Sequence, residues 1–383
     1  MSPPRPAESI AFIDLNAQRR RMGEALERAV MDAVHGGQYI LGPQVGELEK
    51  QLAAFTGAKH AIACGNGTDA LALVLMAKGV RPGDAIFVPA FTFVATAEVV
   101  AWLGAKPFFV DVRADTFTMD PDSLAHAFQD AKTMGLSPKG VIPVDLFGQP
   151  ADYDAIIPFC AAHDLWVLCD GAQAFGATWH GKRVGTFGLA TSTSFFPAKP
   201  LGCYGDGGAI FTDDDALAAI IRSLHFHGKG NDRYQNIRIG MNSRLDTIQA
   251  AILLEKLAIF PSEIEARQRV ADRYHEGLGD VLATPVVAGA AKSVWAQYTL
   301  LAEAPEARAP ILEACKLAGV PTMIYYPIPL SQQEGYRHYP GVAGGVPVSE
   351  DLARRVFSLP MHPYLPEDQQ DYIIDVVRKA VAA

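Results

Sequence analysis

The chain has 383 residues, 49% of them hydrophobic and 20% charged, with a formal net charge of -9, which is ample core for one large or two ordinary domains and argues against nucleic acid as the main partner. Five cysteines, an odd number without C-x-x-C spacing, speak against a disulfide framework and a zinc site, so no metal is expected and a reducing cytoplasm fits. The start, MSPPRPAESI, lacks a basic region followed by an apolar core, and no stretch of about 18 apolar residues occurs, so neither export by that route nor a membrane span is expected.

Periodicity predicts a helix over 17–34 and, beyond the turn-rich GGQYILGP, an amphipathic helix over 45–55 that Gly57 can end. From His60 short apolar runs alternate with helical segments. AIAC precedes a helix over 68–78, AIFVP a helix over 92–103, and PFFVD a helix after Asp120; VIPVDLF, a helix to His163 and LWVLCD follow. This alternation predicts an α/β fold with a mainly parallel sheet and helices on both faces. Residues 191–196 alternate like a strand, and AIFTDD after Gly208 reads as another. Long helices are expected from about 245 to 278, IQAAILLEKLAIF being the clearest, and the remainder reads as a smaller α/β domain. The expected division is a large domain over 15–255 and a small C-terminal domain over 256–383, with 1–14 packing on it or disordered.

Ligands of an open parallel sheet collect beyond the carboxyl ends of its strands, and the polar signals of this chain fall at such ends. CGNGTDAL, between AIAC and its helix, puts two glycines and Thr68 at a helix N-terminus, an anion site for a phosphate. Thr68 as a simple N-cap is compatible with that reading. Gly65, Gly67 and Ala70 also match a dinucleotide pattern, although the ribose-binding acid about 20 residues on is absent. Asp170 leaves an apolar strand, where a carboxylate is costly unless paired with a cation or a helix N-terminus. Lys199 sits in SFFPAKPLGCYGDGG, a loop too rich in Pro and Gly for regular structure, with Phe195, Phe196, Leu201 and Tyr204 to desolvate its amine. An amine, a carboxylate for a protonated pyridine nitrogen and a phosphate site together suit pyridoxal phosphate. Of Phe91 and Phe93, either of which could stack on such a ring, Phe91 is assigned to the core.

CGNGTDAL, PAFTFVAT, CDGAQAFGA, SFFPAKPLGCYGDGG and GMNSRLDTIQAAIL resemble, in order, the successive motifs of the sugar-nucleotide aminotransferases of the DegT/DnrJ/StrS type, from about Asp14 to the C-terminus. The resemblance implies the pyridoxal phosphate-dependent fold type I of aspartate aminotransferase, working as a homodimer with active sites at the subunit interface. Position by position, it implies that Lys199 bonds the cofactor, that Asp170 partners the pyridine nitrogen and that Gln173 lies beside the ring and its hydroxyl. Phe93 matches the stacking aromatic. Gly67, Thr68, Asp69 through its backbone, and Ser194 match the phosphate cradle, completed by Asn242 of the other subunit. Arg244 resembles a substrate-facing residue, and Tyr325 and Tyr326 lie in a motif that contributes to the sugar site. Ser331 stands where many relatives have histidine.

Sugar 3-dehydratases of this fold carry histidine in place of the cofactor-bonding lysine, so Lys199 implies amino transfer, from glutamate to a nucleotide-linked keto-sugar. SFFPAKPLGCYGDGGA with FHGKGNDRY most resembles enzymes that aminate UDP-2-acetamido-2-deoxy-3-oxo-glucuronate, for surface polysaccharide such as lipopolysaccharide O-antigen. The alternatives are a 3- or 4-aminotransferase for a dTDP-, UDP- or GDP-linked keto-6-deoxy sugar and, from other classes, an NAD-binding dehydrogenase or a non-catalytic regulator. A uronate needs a cation, for which Arg244, His225, His227, Lys229 and the Tyr325 and Tyr326 pair are candidates.

Overall fold

Gly23, at φ +53° in a region that side chains avoid, divides the first expected helix into α1 (Leu15–Met22) and α2 (Glu24–His35). This computed structural model describes residue 6 and residues 8–232 and 234–383. The expectation for 1–14 therefore lies partly outside the described residues, as does residue 233 of FHGKGNDRY. After α3 (Pro43–Thr56), which ends at Gly57 as expected, β1 (His60–Cys64), α4 (Gly67–Ala77), β2 (Asp84–Pro89), α5 (Ala95–Trp102), β3 (Lys106–Val110) and α6 (Pro121–Thr133) alternate. They continue through β4 (Ser137–Val141), α7 (Tyr153–Ala162), β5 (Trp166–Asp170), the short hairpin β6 (Thr178–Trp179) and β7 (Lys182–Arg183), β8 (Ala190–Ser194), β9 (Gly208–Thr212) and α8 (Asp215–Leu224).

The main sheet has seven strands in the order β1-β9-β8-β5-β4-β2-β3. From β8 to β3 every pair is parallel, and β9 runs antiparallel to both β8 and β1. Strands covered on both faces can be apolar throughout, and Ile86, Phe87 and Val88 of β2 are fully buried. Two expectations change here. The run VIPVDLF is regular strand only at Val141; beyond it Ile142 N–H still donates to Phe87 O (2.8 Å), Val144 bridges to Asp170, and Leu146–Gly148 forms a short 3-10 turn, all of it buried. The helix expected from 92 begins at Ala95, which leaves Phe93 on the preceding loop, exposed, while Phe91 is buried among Phe117, Phe147 and Tyr326.

The dinucleotide reading is overturned by the same topology. Its glycine turn does lead from β1 into α4, but β1 pairs with antiparallel β9 alone, so the parallel β-α-β unit that a dinucleotide fold requires is not formed there.

α9 (Thr247–Leu278) then runs unbroken for 32 residues despite Pro261. Ala250, Leu253, Leu257 and Phe260 of its first half pack into a cluster beneath the main sheet, whereas Val270, Ala271, Tyr274 and Leu278 pack into a second one. That second cluster is built on β11 (Tyr298–Leu301) and β12 (Val356–Leu359), which pair antiparallel, together with α10 (Pro305–Leu317), α12 (Glu367–Ala382) and Ile10. β10 (Ala291–Lys292) pairs with β6, and α11 (Pro347–Arg355) precedes β12. All five cysteines are buried and free, and among the described residues no helix is long and apolar enough to cross a membrane.

Candidate active site

The carboxyl ends of β5 and β8, the N-terminus of α4, the loop after β2 and the Lys199 loop open onto one cavity of about 660 Å³. Gly67, Thr68, Asp69, Phe93, Asp170, Gln173, Ser194, Lys199, Tyr325 and Tyr326 all line it. Asn242 and Arg244, expected from the opposite subunit or facing the substrate, do not line the cavity of their own chain.

Asp170 ends β5 almost fully buried, accepting from the Thr96 hydroxyl (2.9 Å) and the Ala172 N–H (3.2 Å). Burial raises its proton affinity above the usual carboxylate range, and the charge of Lys199 opposes that rise. Burial likewise lowers the proton affinity of Lys199, with Asp170 holding it up. The two groups therefore sustain each other's charge in a site that favours neither alone. The Lys199 loop is pinned by Phe195 N–H to Gly207 O (2.7 Å), Cys203 N–H to Phe195 O (2.8 Å) and Lys199 N–H to Phe196 O (2.8 Å). Phe195 and Leu201 are buried as expected and Phe196, though half-exposed, lines the cavity beside Lys199, whereas Tyr204 does not line it and its ring lies 4.2 Å from Lys256 Nζ instead.

At the start of α4 the N-cap is Asn66, not Thr68. Its Oδ1 accepts from Asp69 N–H at 2.8 Å. The backbone donor expected of Asp69 is thus already engaged, leaving the Gly67 and Thr68 N–H groups and the Thr68 and Ser194 hydroxyls for an anion. A side chain at Gly67 would put a Cβ 2.7 Å from the Ser194 Cβ, so only glycine lets α4 and β8 approach closely enough to form this cradle. The donor set, a buried carboxylate and a desolvated amine in one cavity fit pyridoxal phosphate. Phe93, 53% exposed, lines the same space.

Gln173 is held at both ends of its amide: its Oε1 accepts from Phe147 N–H (2.7 Å) and its Nε2 donates to the Tyr326 hydroxyl (3.0 Å). It ties the sugar-site motif to the cofactor side of the cavity. Ser331 places its hydroxyl buried and unpartnered. His225 is buried and its proton affinity is pushed down to about 4, chiefly by burial, which removes it as a cation for a uronate. The Phe226 ring lies between Lys229 and Arg244, each 5.1 Å from its centroid, and Arg244 leaves its Nε buried without a partner.

Sequence reasoning missed Asn66, Thr96, Glu98, Trp102, Asp206, Gln297 and Asp145, of which all but Thr96 and Asp145 line the cavity. Asp145 had a legible signal, an acid inside the apolar run VIPVDLF. It is fully buried behind Asp170, accepts from Tyr153 O–H (2.6 Å) and Ala151 N–H (2.8 Å) on one oxygen, and leaves the other unpartnered. Burial pushes its proton affinity up to about 7. The folded protein then holds a proton there that the unfolded chain releases near pH 4, so the contribution of Asp145 to stability declines as pH rises from about 4 to 7. Asp145→Asn, close to isosteric with the protonated acid, should flatten that dependence, raising the melting temperature at pH 8 by about 2–5 °C relative to the parent and little at pH 4. Parallel thermal melts across pH check this, and an unaltered slope would contradict it.

Comparison with known proteins agrees with this geometry. The sequence profile of the DegT/DnrJ/EryC1/StrS aminotransferase family matches residues 20–378. The UDP-2-acetamido-2-deoxy-3-oxo-D-glucuronate aminotransferase of Pseudomonas aeruginosa is 49% identical over 360 residues, covering 93% of this chain and 96% of that one. The crystal structure of a DegT DnrJ EryC1 StrS aminotransferase from Brucella abortus superposes with a TM-score of 0.95 at 51% identity, covering 97% and 99% of the two chains. A sugar aminotransferase of Streptococcus pneumoniae, solved in its PLP form, superposes with a TM-score of 0.88 at 25% identity over 98% of this chain and 99% of that one.

Proposed function

This chain belongs to the DegT/DnrJ/EryC1/StrS aminotransferase family, and from that premise we propose that it transfers the amino group of glutamate to UDP-2-acetamido-2-deoxy-3-oxo-glucuronate. It is a pyridoxal phosphate-dependent aminotransferase of nucleotide keto-sugars. The convergence of Lys199, Asp170 and the α4 N-terminus on one cavity carries the chemistry, and the 49% identity to the P. aeruginosa enzyme supports the choice of sugar. The cytoplasm and surface polysaccharide synthesis are the setting this reading implies.

Pyridoxal phosphate, when bound, supplies an electron sink for charge developing at the substrate carbon. The protein's part is binding, orientation and proton transfer. Gly67 and Thr68 N–H groups with the Thr68 and Ser194 hydroxyls hold the phosphate, and the dipole of α4 favours its charge. Asp170 keeps the ring nitrogen protonated, oriented by Thr96 and Ala172. Lys199 Nζ, its proton affinity lowered by burial, would anchor the cofactor and serve as the base that accepts the proton from the amino donor's carbon.

The working unit is a homodimer in this reading. Lys199 is the single cation among the described residues lining the cavity, which also presents Asp69, Glu98, Asp170 and Asp206. A phosphate, a diphosphate and a uronate together need further positive charge. The exposed segment around Ile237 and Ile239 supports contact with a second copy, which would bring the partner's Asn242 to the phosphate and the partner's Arg244 to the uronate carboxylate. The two hydrophobic clusters joined through α9 support the division into domains near residue 256.

A panel of nucleotide keto-sugars with glutamate, followed by 2-oxoglutarate release, tests the assignment. Preference for the UDP-linked 3-keto-uronate is expected, and Arg244→Ala should lower kcat/KM for it by about 10²- to 10³-fold, since an unpaired buried carboxylate costs several kcal/mol. A 4-keto-6-deoxy acceptor turned over faster would overturn the uronate while leaving amino transfer in place.

A further inference from the structure

Two residues of the cavity wall hold neither cofactor nor, by their chemistry, any anionic part of the substrate. Ala95, Glu98 and Trp102 are spaced i, i+3 and i+7 on α5, so they share one helix face, and that face lines the cavity. With about 1.5 Å of rise per residue, the face runs some 10 Å from Ala95, next to the Phe93 loop, to Trp102 at the helix end. Trp102 is 57% exposed, an indole left in water at the outer end of the wall. Glu98 is half-buried and takes no hydrogen bond or ion pair from the described residues; its charge is felt at the Tyr336 hydroxyl. A carboxylate there repels a diphosphate or a uronate and calls for a neutral ligand rich in donors. A large apolar ring four residues further out calls for a flat partner.

A ribonucleoside has both, joined at the required separation. We propose that α5 carries the nucleoside subsite, with Trp102 stacking on the base and Glu98 accepting from the 2′- and 3′-hydroxyls of the ribose. The four residues from Glu98 to Trp102 span about 6 Å, which is one ring's separation between a ribose diol and its base. This rests on the nucleotide-sugar reading above and deepens it. Stacking tolerates any base, whereas an acid bonded to the diol loses one of its two donors in a 2′-deoxynucleotide. Glu98 therefore selects UDP-linked over dTDP-linked sugars, a choice that the motifs themselves leave open.

Calorimetric titration of the holoenzyme with UDP and with 2′-deoxy-UDP tests the subsite, using the parent, Trp102→Ala and Glu98→Gln. The yellow band and the melting temperature show that each variant is folded and loaded. The parent should bind UDP about 5- to 10-fold more tightly than 2′-deoxy-UDP. Trp102→Ala should weaken both by about 5- to 100-fold, and Glu98→Gln should weaken UDP and abolish the discrimination. UDP affinity unchanged in Trp102→Ala, or a Trp102→Ala protein that elutes as a monomer, would overturn the subsite while leaving the nucleotide reading intact. A parent enzyme that binds neither nucleotide would overturn that reading itself.

Discussion

Lys199→Ala should give a folded protein that stays colourless after saturation with pyridoxal phosphate and transfers no measurable amino group, a loss of at least about 10⁴-fold. The size follows from two roles in one side chain. In the proposed function Nζ would both anchor the cofactor and serve as the base, so an alanine would remove anchor and base together. Folding should survive, because Lys199 is half-buried, its Nζ makes no hydrogen bond in the described structure, and the loop is pinned by its backbone. Visible absorbance, thermal melting and 2-oxoglutarate release report on cofactor, fold and turnover separately. A yellow Lys199→Ala protein with residual turnover would remove Lys199 from the mechanism.

Asp170→Asn comes next in size. The amide can still accept from the Thr96 hydroxyl, so the cavity keeps its shape, but it cannot hold a proton on a ring nitrogen as a carboxylate does. Removing one partner of a buried charge pair costs about 3–5 kcal/mol, which is about 10²- to 5 × 10³-fold in turnover. Cofactor affinity should fall as well, and the yellow band should shift as the ring loses its proton. Wild-type turnover in this variant would contradict the pairing. The burial that raises the proton affinity of Asp170 is the reason the pair matters: in water the same two charges would contribute little.

How much of this was legible before folding varies by residue. The β-α alternation, Lys199 in its Pro- and Gly-rich loop, Asp170 at a strand end and the glycines before α4 are local patterns, and each carries its physical reason within a few residues of chain. Cap identity was harder, since Asn66, Gly67 and Thr68 all suit a helix start, and the hydrogen bond from Asp69 N–H to Asn66 Oδ1 depends on where the helix begins. Tyr204 was misjudged as enclosing the lysine, because its ring packs against Lys256 of α9, a residue far along the chain that no local pattern brings to the loop.

By itself, then, the order of residues determined the fold class, the cofactor and the kind of reaction, all of which rest on short motifs at strand ends. Only the tertiary structure decided which groups meet. It reversed β9 between β1 and β8, which excludes a dinucleotide fold, and it put Asp145 behind Asp170 and turned the Ala95, Glu98 and Trp102 face of α5 toward the cavity. Such pairings join residues far apart in the chain, so they depend on strand order and helix rotation, which no local periodicity encodes.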